Sequence, residues 1–481
     1  MARIRIPVMV VLFTAAALVE AVRVSALSAI ANSDLWWHLS SGAWMLQNHA
    51  LPRTGVFSQV AGDSWIAASW AYDLLLALGF RVLGLRSIPM LLMIFKIGLG
   101  VVTFLLAGGL RRNFWPAVAL SAIAQYVLRG LQPGPGYCSI LFFALALLLL
   151  LECRRMQRPR LLFWLPPMYL LWANLDVQFV DGIGLLLLFL AVVAGEKYLL
   201  SDSGSLALKD VTKIAGLSVA CTLITPYFYR PYGVFFATTF NSANVYLPDF
   251  HAPGFRQPED YVLLLLAMTA FLALGLRRSR DAFAIALMAA GIAVSFYSQR
   301  NLWLVAMAAV GVLGRTLELP AASEPAEKNR WRPETGVALA VSLVVALIAA
   351  WILIPRNHEA LMAKVRQSYP VAACDSIRQQ RLAQPLFNAY EWGGFVTWYL
   401  PQYPVAIDGR SDLYGAEVIT EYSRMMNAEV PYTEYAAVKD AQTILLPKQA
   451  IMAGALSSLP TFKVAYSDEV AVVLSRKAGD E

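Results

Sequence analysis

The sequence predicts a multi-spanning α-helical membrane protein of about 11–13 helices with a small C-terminal α/β domain. Three observations predict it. Hydrophobic residues make up 58% of the 481-residue chain and charged residues only 15%, with a mean hydropathy of +0.56. Apolar runs of about 20 residues, the length a bilayer requires, recur as far as Pro355. After Pro355 the character changes to short runs in which charged and apolar residues mix.

Taken in order, apolar helical segments fall near residues 6–31, 69–84, 88–109, 113–128, 137–151, 161–175, 179–198, 211–226, 260–276, 281–297, 300–315 and 336–355. The first, "MARIRIPVMVVLFTAAALVEAVRVSALSAIA", could pass for a signal peptide ending at Ala29-Ile30-Ala31. Its apolar part is long for one, and it reads as a retained first helix. "ELPAASEPAEKNRWRPE" (318–334) is a polar linker between two spans. The module of spans covers 1–355 and the α/β domain 356–481. In the latter, "PLFNAY", "YPVAID", "TILLP" and "KVAYSDEVAVVLS" read as strands, separated by helical pieces such as "VAACDSIRQQRLA" and "ITEYSRMMNAEV".

Charge gives sidedness. Basic clusters occur at Arg3/Arg5, Arg111/Arg112, Arg154/Arg155/Arg158/Arg160, Arg277/Arg278/Arg280 and Lys328/Arg330/Arg332. With these in the cytoplasm, every span from 113 onward alternates consistently. The outer face then takes the first outer loop (32–68), 129–136, 174–181, the large outer loop (227–260), 298–301 and the C-terminal domain. Two full crossings between residue 69 and Arg111 would invert this order, so one segment there is expected not to cross fully. Because the basic residues fall between apolar runs, the net charge of +7 reflects topology and no nucleic-acid partner is expected. Cys138, Cys153, Cys221 and Cys374 lie far apart without metal-ligand spacing, and no internal repeat is present.

The unusual polar residues gather on the outer face. Asp34 and His38 lie in the first outer loop, Arg129 in "RGLQPGPGY", and Asn174 and Asp176 in "WANLDVQFVDG". Tyr227, Asp249, His251 and Arg256 lie in the large outer loop, and Arg300 in "SQRNLWL". Ionisable groups at membrane depth cost about 2.5–3.5 kcal/mol, so they usually line a cavity or pair with one another. Arginine grips phosphate through paired hydrogen bonds, and a nearby carboxylate can take a proton from a hydroxyl. Together these suit a transferase with a lipid-phosphate-linked donor. Each residue also has a plainer reading. Asp34 would serve as a helix cap or stop signal, and Trp36 and Trp37 as an interfacial aromatic belt. His38, four residues on from Asp34, would hydrogen-bond it on one helical face. Turn chemistry is sufficient reason for Asp249, and snorkelling for any single arginine.

The segments "DLWWHLSSGAWMLQNHALPRTGVFS" and "SWAYDLLLALGF", with "LWANL", "ITPY", "SQRNLWL" and "FNAYEWGGFVTWYLPQYPVAIDGRSDLYG", resemble a bacterial group of glycosyltransferase-like membrane proteins in the GT-C superfamily. The resemblance covers nearly the whole chain. It implies a GT-C-like fold in the bacterial inner membrane, with the C-terminal domain on the extracytoplasmic side. It also implies inverting transfer of a sugar from a polyprenyl-phosphate donor to a glycan, lipid or protein acceptor. An acidic residue of the first outer loop acts in such families as base or metal ligand, and Asp34 is the matching position. Many members carry paired acids there, whereas here Asn32-Ser33 precedes a single Asp34. A divalent metal, Mg or Mn, would have Asp34 as its candidate ligand.

"EWGGFVTW" resembles the acceptor-binding segment of oligosaccharyltransferases, which would put Glu391 and Trp392 near the acceptor; a Gly-containing turn entering a helix is the plainer reading. Asp408 and Arg410 in "IDGRSDLYG", with Asp412 as a second acid, are acceptor-side candidates at a strand end, or an internal Asp408–Arg410 or Arg410–Asp412 network that fixes the turn. The expected assignment is thus Asp34 as general base and Arg129, Arg256 and Arg300 on the donor phosphate. Two alternatives stay open: a non-catalytic assembly partner or transporter of lipid-linked glycans, and a polymerase or ligase using a pyrophosphate-linked donor.

Overall fold

The computed structural model describes residues 32–109, 114–131, 133–199, 206–316 and 357–477, with isolated positions between 337 and 354. The expected first span, the linker at 318–334, and Arg3, Arg5, Arg111, Arg112, Lys328, Arg330 and Arg332 lie outside the described residues. The described helices of the N-terminal part are α1 (Ser33–Asn48), α2 (Trp70–Leu83), α3 (Ser87–Leu106), α4 (Phe114–Val127), α5 (Gly136–Met156), α6 (Leu165–Leu175), α7 (Phe179–Leu199), α8 (Leu208–Thr222), α9 (Arg230–Thr239), α10 (Pro258–Leu276), α11 (Ala282–Tyr297) and α12 (Leu302–Thr316). Each apolar segment expected between 69 and 315 overlaps one of them. The additions are α1 and α9, helices inside the two outer loops.

Local chemistry sets the ends. Asn32 caps α1 by accepting the Asp34 backbone N–H at 2.9 Å. Gln257 and Asp260 form a reciprocal capping box on α10, and Asp281 caps α11 by accepting from Phe283 and Ala284. Among the described residues, four stretches are long and apolar enough to cross a bilayer: Trp70–Leu106, Gly136–Met156, Phe179–Tyr198 and Pro258–Leu276. The first is broken by a 3₁₀ turn at Gly84–Arg86. At 1.5 Å per residue the 14 residues of α2 reach only about 21 Å, short of a ~30 Å hydrocarbon core. Leu75, Val82, Leu187, Leu265 and Leu272 stand exposed on the outside of the bundle, as side chains facing lipid do.

The two ends of the bundle differ in kind. At one end Arg154 makes two hydrogen bonds to Glu196, at 2.9 and 2.7 Å, and approaches Asp281 at 3.2 Å, with Arg315 3.7 Å from the same aspartate. The other end gathers the outer segments and the C-terminal domain.

That domain contains α13 (His358–Ser368), α14 (Val371–Gln380), β1 (Leu386–Asn388), α15 (Tyr390–Tyr399), α16 (Ser411–Met426), α17 (Ala436–Lys439), β2 (Thr443–Pro447), α18 (Ile451–Ser457), β3 (Phe462–Ser467) and β4 (Ala471–Arg476). The sheet order is β1-β2-β4-β3, with β1 parallel to β2 and the remaining pairs antiparallel. "YPVAID" is not one of its strands. The side-chain carbonyl of Asn388 holds the Ala406 N–H at 2.9 Å, while Val405 exchanges backbone bonds with Phe57 and Gln59 of the first outer loop. A segment with strand composition is therefore spent on joining domain to loop.

The joint continues through α1. Trp36 is fully buried, 5.6 Å from Tyr369, 5.4 Å from Phe395 and 4.5 Å from Trp398. It belongs to the core shared with the C-terminal domain, which corrects the expectation of an interfacial belt. Gly394 of α15 explains how the helices approach so closely, since a Cβ there would lie 2.4 Å from the Ser33 carbonyl oxygen. "EWGG" is thus a helical contact surface. Trp36→Ala should lower stability by about 3–5 kcal/mol, and Gly394→Ala should also destabilise. Thermal unfolding in detergent measures both; a Gly394→Ala protein with an unaltered midpoint would mean that this contact is not tight.

Candidate functional site

A cavity of about 490 Å³ lies where the outer segments meet the C-terminal domain. Its walls draw on α1 (Asp34, Trp37, His38), the turn before α5, the α6–α7 turn (Asp176), the large outer loop (Asp249), the start of α12 (Arg300, Trp303) and the C-terminal domain (Gly409, Arg410, Asp412). Segments assigned to one face by charge alone thus come together around one space.

Asp34 sits in the first turn of α1. Asn32 supplies the cap, so the Asp34 carboxylate is left for other contacts: the Trp37 indole N–H donates to it at 3.3 Å. On its other side the Asp408–Arg410 turn comes so close that a Cβ on Gly409 would lie 1.9 Å from Asp34 Oδ1. Burial pushes the Asp34 carboxyl above its usual range, with His38, the Trp37 hydrogen bond and Arg300 opposing the shift. His38 does not bond Asp34 as its spacing suggests. Its Nδ1 is 2.6 Å from Asp73 Oδ1, and its ring stacks on Trp37 at 3.6 Å.

Asp176 ends α6 and accepts from the Ser139 hydroxyl at 2.5 Å; burial raises its pKa too. The large outer loop is tied to the start of α12 by the Gln299 N–H, which donates to the His251 carbonyl at 2.8 Å, and by the Ser298 hydroxyl, which donates to that of Asp249 at 3.3 Å. These bonds bring Asp249 and Arg300 onto the cavity wall, with the Arg300 guanidinium over the Phe250 ring at 5.1 Å.

The arginines divide sharply. Arg129 is held by Glu259 at 2.7 Å, and Arg410 is held by Asp408 through hydrogen bonds from Nε and Nη2 at 2.7–3.0 Å. Arg256 is exposed and off the cavity wall. Among the described residues, Arg300 is the lining arginine with no carboxylate partner within ion-pair distance. The expected three-arginine clamp is therefore not assembled. His251, Asn174 and Tyr227 are also off the wall: His251 Nε2 is 2.8 Å from the Val245 carbonyl, Asn174 accepts from Trp70 at 2.9 Å, and Tyr227 donates to Pro52 O at 3.0 Å. Glu391 is exposed and Trp392 is packed in the C-terminal core. Asp408 is sealed behind Arg410, whose guanidinium lies 4.9 Å from the Trp65 ring centre and also donates to Val56 O at 2.8 Å. The internal ion pair is the reading realised at "IDGR", and Arg410 also lines the cavity.

One residue of this site escaped the sequence reading. Asp73 carried a signal, an acid inside the apolar run "WAYDLLLALGF". Asp412, the second acid of "IDGRSDLYG", lines the cavity, and burial raises its carboxyl to about 6 against the opposing Arg410. Among the described residues, no three His, Cys, Asp or Glu side chains group to hold a metal ion. Asp34 has an indole and a glycine against it, not a second carboxylate, so these residues do not form a metal ligand set.

No protein-family model matches the chain, and no curated protein has a similar sequence. Among solved structures, the crystal structure of ArnT from Cupriavidus metallidurans bound to undecaprenyl phosphate is similar over 98% of each chain, with 14% sequence identity and a TM-score of 0.48. A likeness at that level decides neither family nor chemistry.

Gly409→Ala should displace the Asp34 carboxylate while leaving the C-terminal core intact; an unchanged Asp34 carboxyl signal in infrared difference spectra would contradict the contact. Asp412 supplies a pH test. Burial holds its carboxyl at about 6, above the usual aspartate value of 3.8, so the folded state keeps a proton that the unfolded chain releases. Its contribution to stability therefore falls as pH rises between those values, and Asp412→Asn should remove that part of the decline in melting temperature.

Proposed function

We propose that this protein is a membrane glycosyltransferase that moves a sugar from a polyprenyl-phosphate donor to an acceptor hydroxyl at the extracytoplasmic face of the bacterial inner membrane. The observation that carries the proposal is the convergence of Asp34 and Arg300 on one cavity walled by both apolar helix ends and the C-terminal domain. Its volume of about 490 Å³ is within the usual range for small-ligand sites. Ile140, Leu263 and Trp303 give the space an apolar side suited to the first units of a lipid tail.

In this reading Asp34 takes the acceptor's proton, and the acceptor oxygen attacks the anomeric carbon from the face opposite the phosphate. The anomeric C–O bond breaks with its electron pair passing to the phosphate oxygen, so configuration inverts. Arg300 offsets the phosphate's charge through charge-assisted hydrogen bonds. Arg410, already neutralised by Asp408, shapes the wall on the acceptor side. A single uncommitted arginine favours a monophosphate donor over a pyrophosphate, for which a second cation would be expected. The low-charge apolar bundle and the one-sided polar cavity support an enzyme over a transporter, whose polar residues should lie at mid-bilayer depth.

Proteoliposomes supplied with polyprenyl-phosphate sugars test this. Asp34→Asn should lower kcat by about 10²–10⁴-fold with folding intact, and Arg300→Ala should mainly raise KM for the donor. Because burial raises the Asp34 pKa and the base must be ionised, activity should rise with pH through a limb displaced above the ordinary aspartate range. Full activity of Asp34→Asn would remove Asp34 from the reaction.

A further inference from the structure

We infer that His38, held by Asp73, is a second proton-handling residue of the cavity and gives its Nε2 proton to the phosphate oxygen that leaves the sugar. The inference rests on the glycosyl-transfer reading above and deepens it.

The geometry begins in an apolar helix. Asp73 is completely buried in α2, and its side-chain partner is His38, 2.6 Å away and 4% exposed. The helices meet closely here: a Cβ on Gly42 would lie 2.1 Å from the Asp73 carbonyl oxygen, so α1 lies directly against α2 one turn beyond His38. A carboxylate sealed in such surroundings is tolerated when a cation pairs with it. The Asp73 carboxylate accepts from Nδ1, which anchors the ring at that nitrogen. Trp37 stacked at 3.6 Å and the edge of Tyr72 at 5.4 Å fix the ring plane. His38 lines the cavity, and among the described residues its Nε2 has no protein partner. The ring is therefore anchored at one nitrogen and available at the other.

The charged groups around it are Asp34 one turn earlier on α1, Asp73 behind it, Asp176 from the α6–α7 turn, and Arg300 across the cavity. This arrangement closes a proton cycle. Asp34 accepts the acceptor's proton as the new C–O bond forms. The bond from the anomeric carbon to the phosphate breaks, and His38 protonates the departing oxygen from Nε2. Asp34 then returns its proton to His38, so the proton lost by the acceptor ends on the polyprenyl phosphate and no outside acid is consumed. Asp73 acts through His38 as a positioning residue.

The chain has four histidines, which makes imidazole ¹⁵N NMR of the whole protein in lipid nanodiscs tractable. The His38 signal is identified by its absence in His38→Gln. Addition of a polyprenyl phosphate should shift that signal, and Asp73→Asn should move it as well through the lost contact at Nδ1. In kinetics, His38→Gln should lower kcat about 100-fold, leave KM nearly unchanged, and abolish the basic limb of the pH–rate profile. An unchanged basic limb in His38→Gln, or a His38 signal indifferent to polyprenyl phosphate while the unaltered protein transfers sugar, would overturn the His38 step alone. A lowered melting temperature with the basic limb preserved would mean a structural role and overturn it as well. No sugar transfer by the unaltered protein, with the His38 signal still responding to polyprenyl phosphate, would instead overturn the transfer reading and the proton step with it.

Discussion

Helix α1 is pressed between two other backbones, and the rest of the site depends on that contact. At Gly394 it meets α15 of the C-terminal domain, and at its first turn Asp34 meets Gly409. Room for a side chain exists at neither point. Trp36 fills the space beside these contacts with a ring buried among Tyr369, Phe395 and Trp398. Dispersion and apolar burial thus hold a short amphipathic helix in one orientation, and that orientation decides where Asp34 and His38 point. The "WW" pair divides its work accordingly: Trp36 anchors the helix, and Trp37 donates to Asp34 and covers His38.

Electrostatics impose a second constraint. The cavity wall carries Asp34, Asp176, Asp249, Glu259, Asp260 and Asp412, yet two of its nearest arginines are already spoken for. Arg129 neutralises Glu259, and Asp408 neutralises Arg410, so neither adds a free charge to the space. Arg300 does. An ionised carboxylate in this setting is costly, which is why burial raises the pKa of Asp34, Asp176 and Asp412. A carboxylate with a raised pKa is a stronger base once ionised than an exposed aspartate, and that property suits proton removal from a hydroxyl.

The opposite end of the bundle shows the same residue types used differently. Arg154, Glu196, Asp281 and Arg315 form an ion network across α5, α7, α11 and α12. Charge there fastens helix ends. At the cavity it stays partly unsatisfied, as a binding site requires.

The sequence by itself determined the mainly helical class, the run of apolar helices and the set of loops that line one cavity, because hydropathy and the placement of Lys and Arg are local quantities. It also pointed to Asp34 and Arg300, acid and base at the ends of apolar segments. It could not say which polar residues touch. The string "NSDLWWHL" offers Asp34 as a helix cap, and only the folded turn assigns the cap to Asn32 and releases Asp34. His38 is spaced to meet Asp34, but close packing of α1 on α2 gives it to Asp73, 35 residues away. Strand-like "YPVAID" pairs with a loop more than 340 residues earlier, as the Ser58–Val405 contact shows. Arg129, Arg256 and Arg300 look alike in one dimension; ion pairing and exposure separate them. Such choices belong to tertiary structure because each depends on two distant segments arriving at the same place, and hydrophobic period carries no record of the partner.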